Sequence, residues 1–129
     1  MPITYKIDPE HRRVTAKAHG RLTETEILDY QNEAWSRPEV AGFDELIDMT
    51  DVVEIVSPSP DSFLHVAMHA ATMDDKNSNS RFAIVASGDL HFGLGRMYSA
   101  YRNLSTSGTK QVSVFRSLAE AECWLPGQS

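Results

Sequence analysis

Polar residues suited to ligand binding cluster where the sequence predicts that the strands of a parallel sheet end. Open α/β sheets bind ligands in the crevice outside the carboxyl ends of their strands. Carboxylate, hydroxyl and guanidinium groups at such an edge can bond a polar ligand, and a hydroxyl there can carry a regulatory phosphate. The residues predicted to form this ligand or regulatory rim are Asp48, Thr50, Ser57, Ser59, Ser87, Asp89 and Arg116.

A purely structural interpretation of the same residues stays open. Asp89 suits a helix N-cap, and Asp48 and Thr50 suit a loop in which side chains bond the backbone. Arg116 can pair with a neighbouring carboxylate. A hydrolase that uses Asp48 and Asp89 is a further alternative, and it requires both carboxylates to reach one substrate.

No residue is predicted to be catalytic, and no metal or cofactor is predicted. His65 and His69 stand one helical turn apart, a spacing that lets two imidazoles bind one metal. Zinc needs a third and often a fourth ligand, and the sequence places none, so we interpret the two histidines as a solvated pair. Cys123 has no histidine placed beside it, and the serines lack the G-x-S-x-G pattern of a nucleophile elbow.

One face of a predicted helix indicates a contact surface. The helical spacing directs Gly95 outward together with Tyr98 and Arg102, whereas Gly93 falls on the apolar stripe. A glycine inside a helix costs about 1 kcal/mol relative to alanine, so an outward glycine needs a reason. Because Tyr and Arg are typical interface anchors, we interpret this face as an interface with a protein partner or a second copy in a dimer. A tolerated exposed glycine is the alternative.

The composition is that of one globular domain, with 129 residues of which 41% are hydrophobic and 23% charged. The net charge is −6 and the cations are scattered, so a nucleic-acid partner is excluded. No stretch approaches 18 consecutive apolar residues, so no integral membrane segment is predicted. With a single cysteine and no apolar leader at the N-terminus, we expect a cytoplasmic protein.

Local patterns predict five strands and four helices. The first two strands alternate apolar and polar residues, whereas residues 82–86 form a continuous apolar run, typical of a strand that helices cover on both faces. Thr23 and Ser117 each begin a capping box, and Ser59 precedes a first-turn proline. The predicted strands are 3–7, 14–18, 46–47, 82–86 and 112–115, and the predicted helices begin at 23, 59, 89 and 117. The spacing predicts buried faces at Leu64, Ala67, Met68 and Ala71 in the second helix, and at Leu90, Leu94, Met97, Tyr101 and Leu104 in the third.

The predicted order is β-β-α-β-α-β-α-β-α. Helical crossovers make the last four strands parallel and right-handed, while the first strand adds an antiparallel edge. The sequence therefore predicts the α/β class, with a single mixed five-stranded sheet in one domain over residues 1–129. The polar stretches 74–80 and 105–109 are predicted to be loops within that domain.

Several segments resemble the SpoIIAA-like proteins, relatives of the STAS domain: ITYKID, ELIDMTDV, RFAIVAS, DLHFGLGRMY and VFRSLAEAECWL. The resemblance covers nearly the whole chain and implies a fold with the order just given. It also implies a non-catalytic role, as an antagonist of an anti-sigma factor, as a partner-switching scaffold or, as in the related Sec14-like domains, as a carrier of apolar ligands.

The phosphorylation site of signalling STAS domains is altered in this chain. In those domains the modified Ser or Thr follows the third strand at the start of the next helix, typically beside Asp and Gly. Ser57 and Ser59 stand near that place, but Val56 replaces the Asp, the Gly is missing and two prolines are inserted. The segment therefore departs from the pattern that a kinase would recognise.

The preferred prediction is a STAS-like regulatory or protein-interaction module that docks a partner protein and self-associates. The second class is a carrier of a small apolar ligand or lipid, which a cavity of several hundred Å³ would favour. The residues predicted to line that cavity are Phe63, Met68, Met73 and Phe92.

Overall fold

In a computed structural model, the chain folds into a central sheet with helices on both faces. The structure describes residues 3–56, 59–73, 80–104 and 110–125. The elements in chain order are β1 (Ile3–Asp8), β2 (Arg13–Leu22), α1 (Glu24–Trp35), a 3₁₀ turn (Pro38–Val40), β3 (Asp44–Ile55), α2 (Pro60–Thr72), β4 (Arg81–Val85), α3 (Asp89–Leu104), β5 (Gln111–Phe115) and α4 (Leu118–Trp124).

The strands lie in the sheet in the same order as in the chain. β1 is antiparallel to β2, and each later strand is parallel to the one before it. Parallel neighbours need a crossover connection, which α1, α2 and α3 supply. The predicted mixed five-stranded α/β sheet is confirmed.

The core has two layers because successive residues of a strand point to opposite faces of the sheet. On one face, Ile47 and Ile84 belong to a cluster packed beneath α1, α2 and α3. On the other face, Leu46 and Ala83 pack with Leu125 at the end of α4. β4 is thus covered on both sides, which explains its continuous apolar sequence.

Three helix starts use the predicted capping side chains, whereas Asp89, predicted as an N-cap, is the first residue of α3. At Ser117 the Glu120 carboxylate accepts from the Ser117 hydroxyl and does not close the predicted capping box. The Thr23 hydroxyl accepts a hydrogen bond from the Glu26 N–H, and the Glu26 carboxylate accepts one from the Thr23 N–H, which closes a capping box. The hydroxyls of Ser59 and Ser117 each accept a bond from the backbone N–H three residues further on. These side chains satisfy N–H groups that have no partner within the helix.

One predicted strand was too short. β3, predicted at 46–47, runs from Asp44 to Ile55. β3 pairs with β4 only over residues 45–48, but it continues beside β2 as far as the pair Leu22 and Ile55. Beyond residue 48 the strand has a partner on one side only, so its sequence lacks the apolar run of a central strand.

The buried face of α2 differs from the predicted one. The two alanines of the predicted stripe are buried, but Leu64 and Met68 are 42% and 57% exposed, while Phe63, Val66 and Ala70 are buried instead. Apolar residues surround most of this helix, so its spacing fits two overlapping stripes. The stripe that contains the aromatic ring packs inward because it buries more apolar surface.

Candidate functional site

The first group of predicted rim residues lies on β3. Asp48 Oδ1 accepts hydrogen bonds from the Thr50 backbone N–H at 3.0 Å and from the Thr50 hydroxyl at 2.7 Å. Both residues belong to the strand, so the alternative that placed them in a loop was wrong. Ser59 is exposed and caps α2, and Ser57 lies outside the described residues.

The second group joins the ends of β4 and β5. Arg116 Nη1 donates to Asp89 Oδ1 at 2.7 Å and to the Ser87 carbonyl oxygen at 3.4 Å. The Arg116 guanidinium lies 4.2 Å from the centroid of the Phe92 ring. Among the described residues, no hydrogen bond or ion pair connects this group to Asp48 or Thr50, so the rim consists of two separate local networks. Its role as a ligand or regulatory site stays a prediction.

The helix face predicted to be an outward interface is buried. A Cβ atom placed on Gly95 would lie 3.0 Å from Val114 Cγ2, so this glycine faces the sheet. Tyr98 and Arg102 are only 8% and 3% exposed. Gly93, predicted to face the sheet, has no neighbouring atom within 4 Å of such a Cβ. The prediction that Gly95, Tyr98 and Arg102 form an exposed interface was wrong.

A rotation of α3 about its axis explains this error. Leu90 and Leu104, which defined the predicted stripe, are 71% and 78% exposed. The absence of a side chain at Gly95 lets the helix backbone approach β4 and β5 closely. The helix face that contains Gly95 therefore packs against the sheet, and Leu90 and Leu104 at the two ends of α3 stay exposed.

A cavity of about 90 Å³ lies between the sheet and the three helices above it. Its wall is mostly apolar. Phe82 and Ile84 line it from β4, Phe63 and Ala70 from α2, and Met49 from β3. The sheet side chains and the three helices therefore line a partly open compartment suited to an apolar group.

Polar side chains collect at one end of this cavity. The Tyr30 hydroxyl donates to Glu45 Oε2 at 2.7 Å and accepts from Trp35 Nε1 at 3.2 Å. Lys110 Nζ lies 3.7 Å from Glu45 Oε1 and 3.5 Å from the centroid of the Trp35 ring. Burial, together with the negative charge of Glu45, raises the pKa of Tyr30 well above its ordinary value. The phenol is therefore held neutral as a donor to the carboxylate.

Gln31 and Arg102 complete this polar end. Arg102 Nη1 donates to the Tyr98 hydroxyl at 3.1 Å, and its guanidinium lies 5.9 Å from the centroid of the Phe82 ring. Gln31 is 6% exposed and lines the cavity, and its Oε1 atom accepts no hydrogen bond from any residue in the described part of the chain. A buried amide oxygen without a donor is uncommon and needs an explanation.

A second, outer pocket of about 230 Å³ adjoins the cavity beside the 3₁₀ turn. Trp35, Met73 and Lys110 line both spaces. Glu45 and Lys110 stand at the amino ends of β3 and β5. The polar end of the cavity is therefore on the edge of the sheet opposite to the predicted rim.

The two histidines of α2 contact polar side chains of α1. His65 Nδ1 is 2.9 Å from Glu24 Oε2, and His69 Nε2 is 2.9 Å from Asn32 Oδ1. The Ser62 hydroxyl also donates a hydrogen bond to Glu24. The bond from Ser62, and to a smaller extent the bond to His65, lowers the pKa of the Glu24 carboxyl. Both histidines have hydrogen-bonding partners on α1, which accounts for their spacing without a metal.

A cluster of potential metal ligands that the sequence analysis missed lies at the β1–β2 turn. Donor atoms of Asp8, Glu10 and His11 lie within 4.8 Å of one another. His11 Nδ1 is 2.7 Å from Asp8 Oδ2, and the side-chain bond to His11 lowers the pKa of Asp8. The cluster is largely exposed and its hydrogen bonds account for its geometry.

The mixed sheet with its covering helices is an α/β fold that a solved structure shares. An uncharacterised protein of the DUF3478 family from Shewanella loihica PV-4, whose solved structure is described as having a SpoIIAA-like fold, is similar over 95% of this chain and 93% of its own. The TM-score is 0.61 and the sequence identity is 18%. The chain thus has the SpoIIAA-like, STAS-like fold that its sequence predicts.

No protein-family model and no curated protein sequence matches the chain. Among the described residues, no helix combines the length and the apolar character needed to cross a bilayer.

Proposed function

We propose that this protein is a non-catalytic binding module that holds a small, mostly apolar molecule in the cavity beneath α1, α2 and α3. The observation that carries this proposal is an apolar cavity with polar groups gathered at one end. Ligand pockets have this composition, because apolar walls supply affinity and a few polar groups fix orientation.

The size of the cavity limits the ligand. Its volume of about 90 Å³ is below the roughly 150 Å³ of an engineered cavity that takes up benzene. Drug-sized pockets span roughly 300–1,000 Å³, so the several hundred Å³ expected for a lipid carrier are not found. Met49 and Met73 line the space, and their flexible thioether side chains adapt readily to an occupant. We therefore propose a ligand no larger than a single substituted ring, which enters as these two methionine side chains move aside.

Two of the four residues predicted to line a carrier cavity do so. Phe63 and Met73 contribute to the wall. Met68 does not, because it is on the exposed side of α2, and Phe92 does not, because its ring lies against Arg116. The part of the prediction that placed these two residues in the cavity was wrong.

Uptake of toluene tests the proposal. We expect toluene to raise the melting temperature of the protein. Ala70→Leu fills the cavity and should abolish this rise, whereas the control Ala100→Leu, on the exposed side of α3, should retain it. No rise in the unmodified protein, or an equal rise in Ala70→Leu, would contradict a binding function for the cavity.

Hydrolysis by the rim carboxylates has less support than binding. Asp89 is exposed and paired with Arg116, and Asp48 is bonded to Thr50. Neither carboxylate lies in a water-excluded site, where a catalytic acid or base is normally tuned. We therefore propose no reaction.

Docking of a protein partner, formation of a homodimer, a cytoplasmic location and a regulatory role of the rim also remain proposals. The interface predicted at Gly95, Tyr98 and Arg102 cannot carry the docking, because these side chains face the core. Light scattering over a range of protein concentrations tests the dimer. A dimeric mass is expected, and a monomeric mass at every concentration would contradict self-association.

A further inference from the structure

At the polar end of the cavity, the amide oxygen of Gln31 is a buried hydrogen-bond acceptor without a donor on any residue that the structure describes. It belongs to a side chain that is 6% exposed, and it accepts no hydrogen bond from the described residues. Nearly all buried polar atoms in proteins have a partner, and the Gln31 side chain is part of the cavity wall. An oxygen of this kind requires a donor.

Three of the neighbouring polar side chains already have partners within the protein. The Tyr30 hydroxyl is used as both donor and acceptor, between Glu45 and Trp35. Lys110 and Glu45 carry opposite charges 3.7 Å apart. A charged ligand would lose its hydration on entering this apolar space and would disturb that pair, so the geometry favours an uncharged ligand.

We infer that the ligand is a compact neutral hydroxyl compound of the phenol type, and that its hydroxyl donates to Gln31 Oε1 while its ring packs against Phe63, Phe82 and Ile84. This inference rests on the proposed function, because it names the chemical class of the molecule in the cavity. An isolated hydroxyl satisfies the orphan acceptor, and a single ring is the largest group proposed for this cavity, whose wall includes the adaptable side chains of Met49 and Met73.

Phenol and toluene form the decisive pair of probes, since a methyl group replaces the hydroxyl at almost the same volume. We expect phenol to bind the protein more tightly than toluene in calorimetric titrations. In Gln31→Leu the affinity for phenol should fall about tenfold, the order of one hydrogen bond, while the affinity for toluene should not fall. The ligand-free variant should also melt at a higher temperature, because a buried amide without a donor has been removed.

Two further variants keep the test interpretable. Gln111→Leu replaces an exposed glutamine at the start of β5 and should leave both affinities unchanged. Gln31→Met retains the length of the side chain without its amide, and it should repeat the loss for phenol if Gln31→Leu does not fold.

The results separate the two proposals. If phenol and toluene bind equally well, and Gln31→Leu and Gln31→Met weaken neither or both alike, the assignment of the hydroxyl to Gln31 is overturned and the binding function stands. If neither probe binds the unmodified protein, the proposed function itself is overturned.

Discussion

Two ion pairs, one at the rim and one in the cavity, show how differently the same chemistry behaves in the two regions. The side chains of Arg116 and Asp89 are 49% and 94% exposed and lie 2.7 Å apart. Those of Lys110 and Glu45 are 4% and 7% exposed, with a closest distance of 3.7 Å. Water solvates the charges of the first pair whether or not the pair forms. The charges of the second pair have lost most of their hydration, so only groups within the protein stabilise them. The shorter contact is therefore expected to matter less for stability.

The largest effect is expected from Lys110→Met. It leaves the Glu45 carboxylate buried without the nearby ammonium, and breaking a buried pair in this way costs about 3–5 kcal/mol. Urea-unfolding free energies measure the loss. The double variant Glu45→Met with Lys110→Met should recover part of it, because no buried charge is then stranded. A loss in Lys110→Met as small as that of a rim variant would remove the contrast between the regions.

Tyr30→Phe should have the next largest effect, about 2–3 kcal/mol at neutral pH, because the buried carboxylate loses a hydrogen-bond donor. The pH dependence sharpens this prediction. Burial raises the pKa of Tyr30 in the folded state, so above the ordinary value of 10.0 the unfolded chain releases its proton first. The unfolded state then binds fewer protons, and stability falls as the pH rises above that value.

Unfolding free energies measured from pH 8 to 11 test this dependence. The contribution of Tyr30 is fully present below pH 10 and should be lost above it. Tyr30→Phe should reduce the slope at alkaline pH, and an unchanged slope in the variant would show that Tyr30 is not the group responsible.

The two glycines of α3 give a smaller contrast, of about 1 kcal/mol. Gly93→Ala should stabilise the protein by about that amount, since alanine is the better helix former and the added atom meets open space. Gly95→Ala should not gain this, because its Cβ would lie 3.0 Å from Val114 Cγ2. Thermal unfolding of both variants checks the rotation of the helix. Equal stabilisation would mean that α3 does not pack as described.

The smallest effect is expected at the rim. Arg116→Met removes an exposed ion pair and should cost about 0–1 kcal/mol, with little change in melting temperature. If this variant lost as much stability as Lys110→Met in the same urea titrations, the exposed pair would contribute as much to stability as the buried pair, and the contrast between the two regions would be wrong.

Local sequence signals predicted the framework of the molecule. The Thr23 capping box, the apolar run of β4 and the alternation in β1 and β2 depend on neighbouring residues, and the order of elements then fixes the parallel sheet. Helix rotation was harder to predict. In α3 the terminal leucines and the Gly95 face are both compatible with helical spacing, and the choice between them depends on how closely the sheet can approach.

The polar end of the cavity had no comparable signal. Gln31, Glu45 and Lys110 come from a helix, a strand and the start of another strand, and no motif links them in sequence. A polar residue usually lies at the surface, so each of the three is expected to be exposed. They come together in the tertiary structure, where Tyr30 of α1 bonds Glu45 and the Trp35 ring contacts Lys110.

Occupancy of the cavity is the central claim, and a methyl NMR titration of the protein with toluene tests it most directly. We predict that the signals of Ile47 and Ile84 in the cavity wall shift in a saturable way, while those of Val53 and the rim-side Leu118, both exposed, do not. Saturable shifts confined to the exposed residues, or no shift at all, would contradict the account.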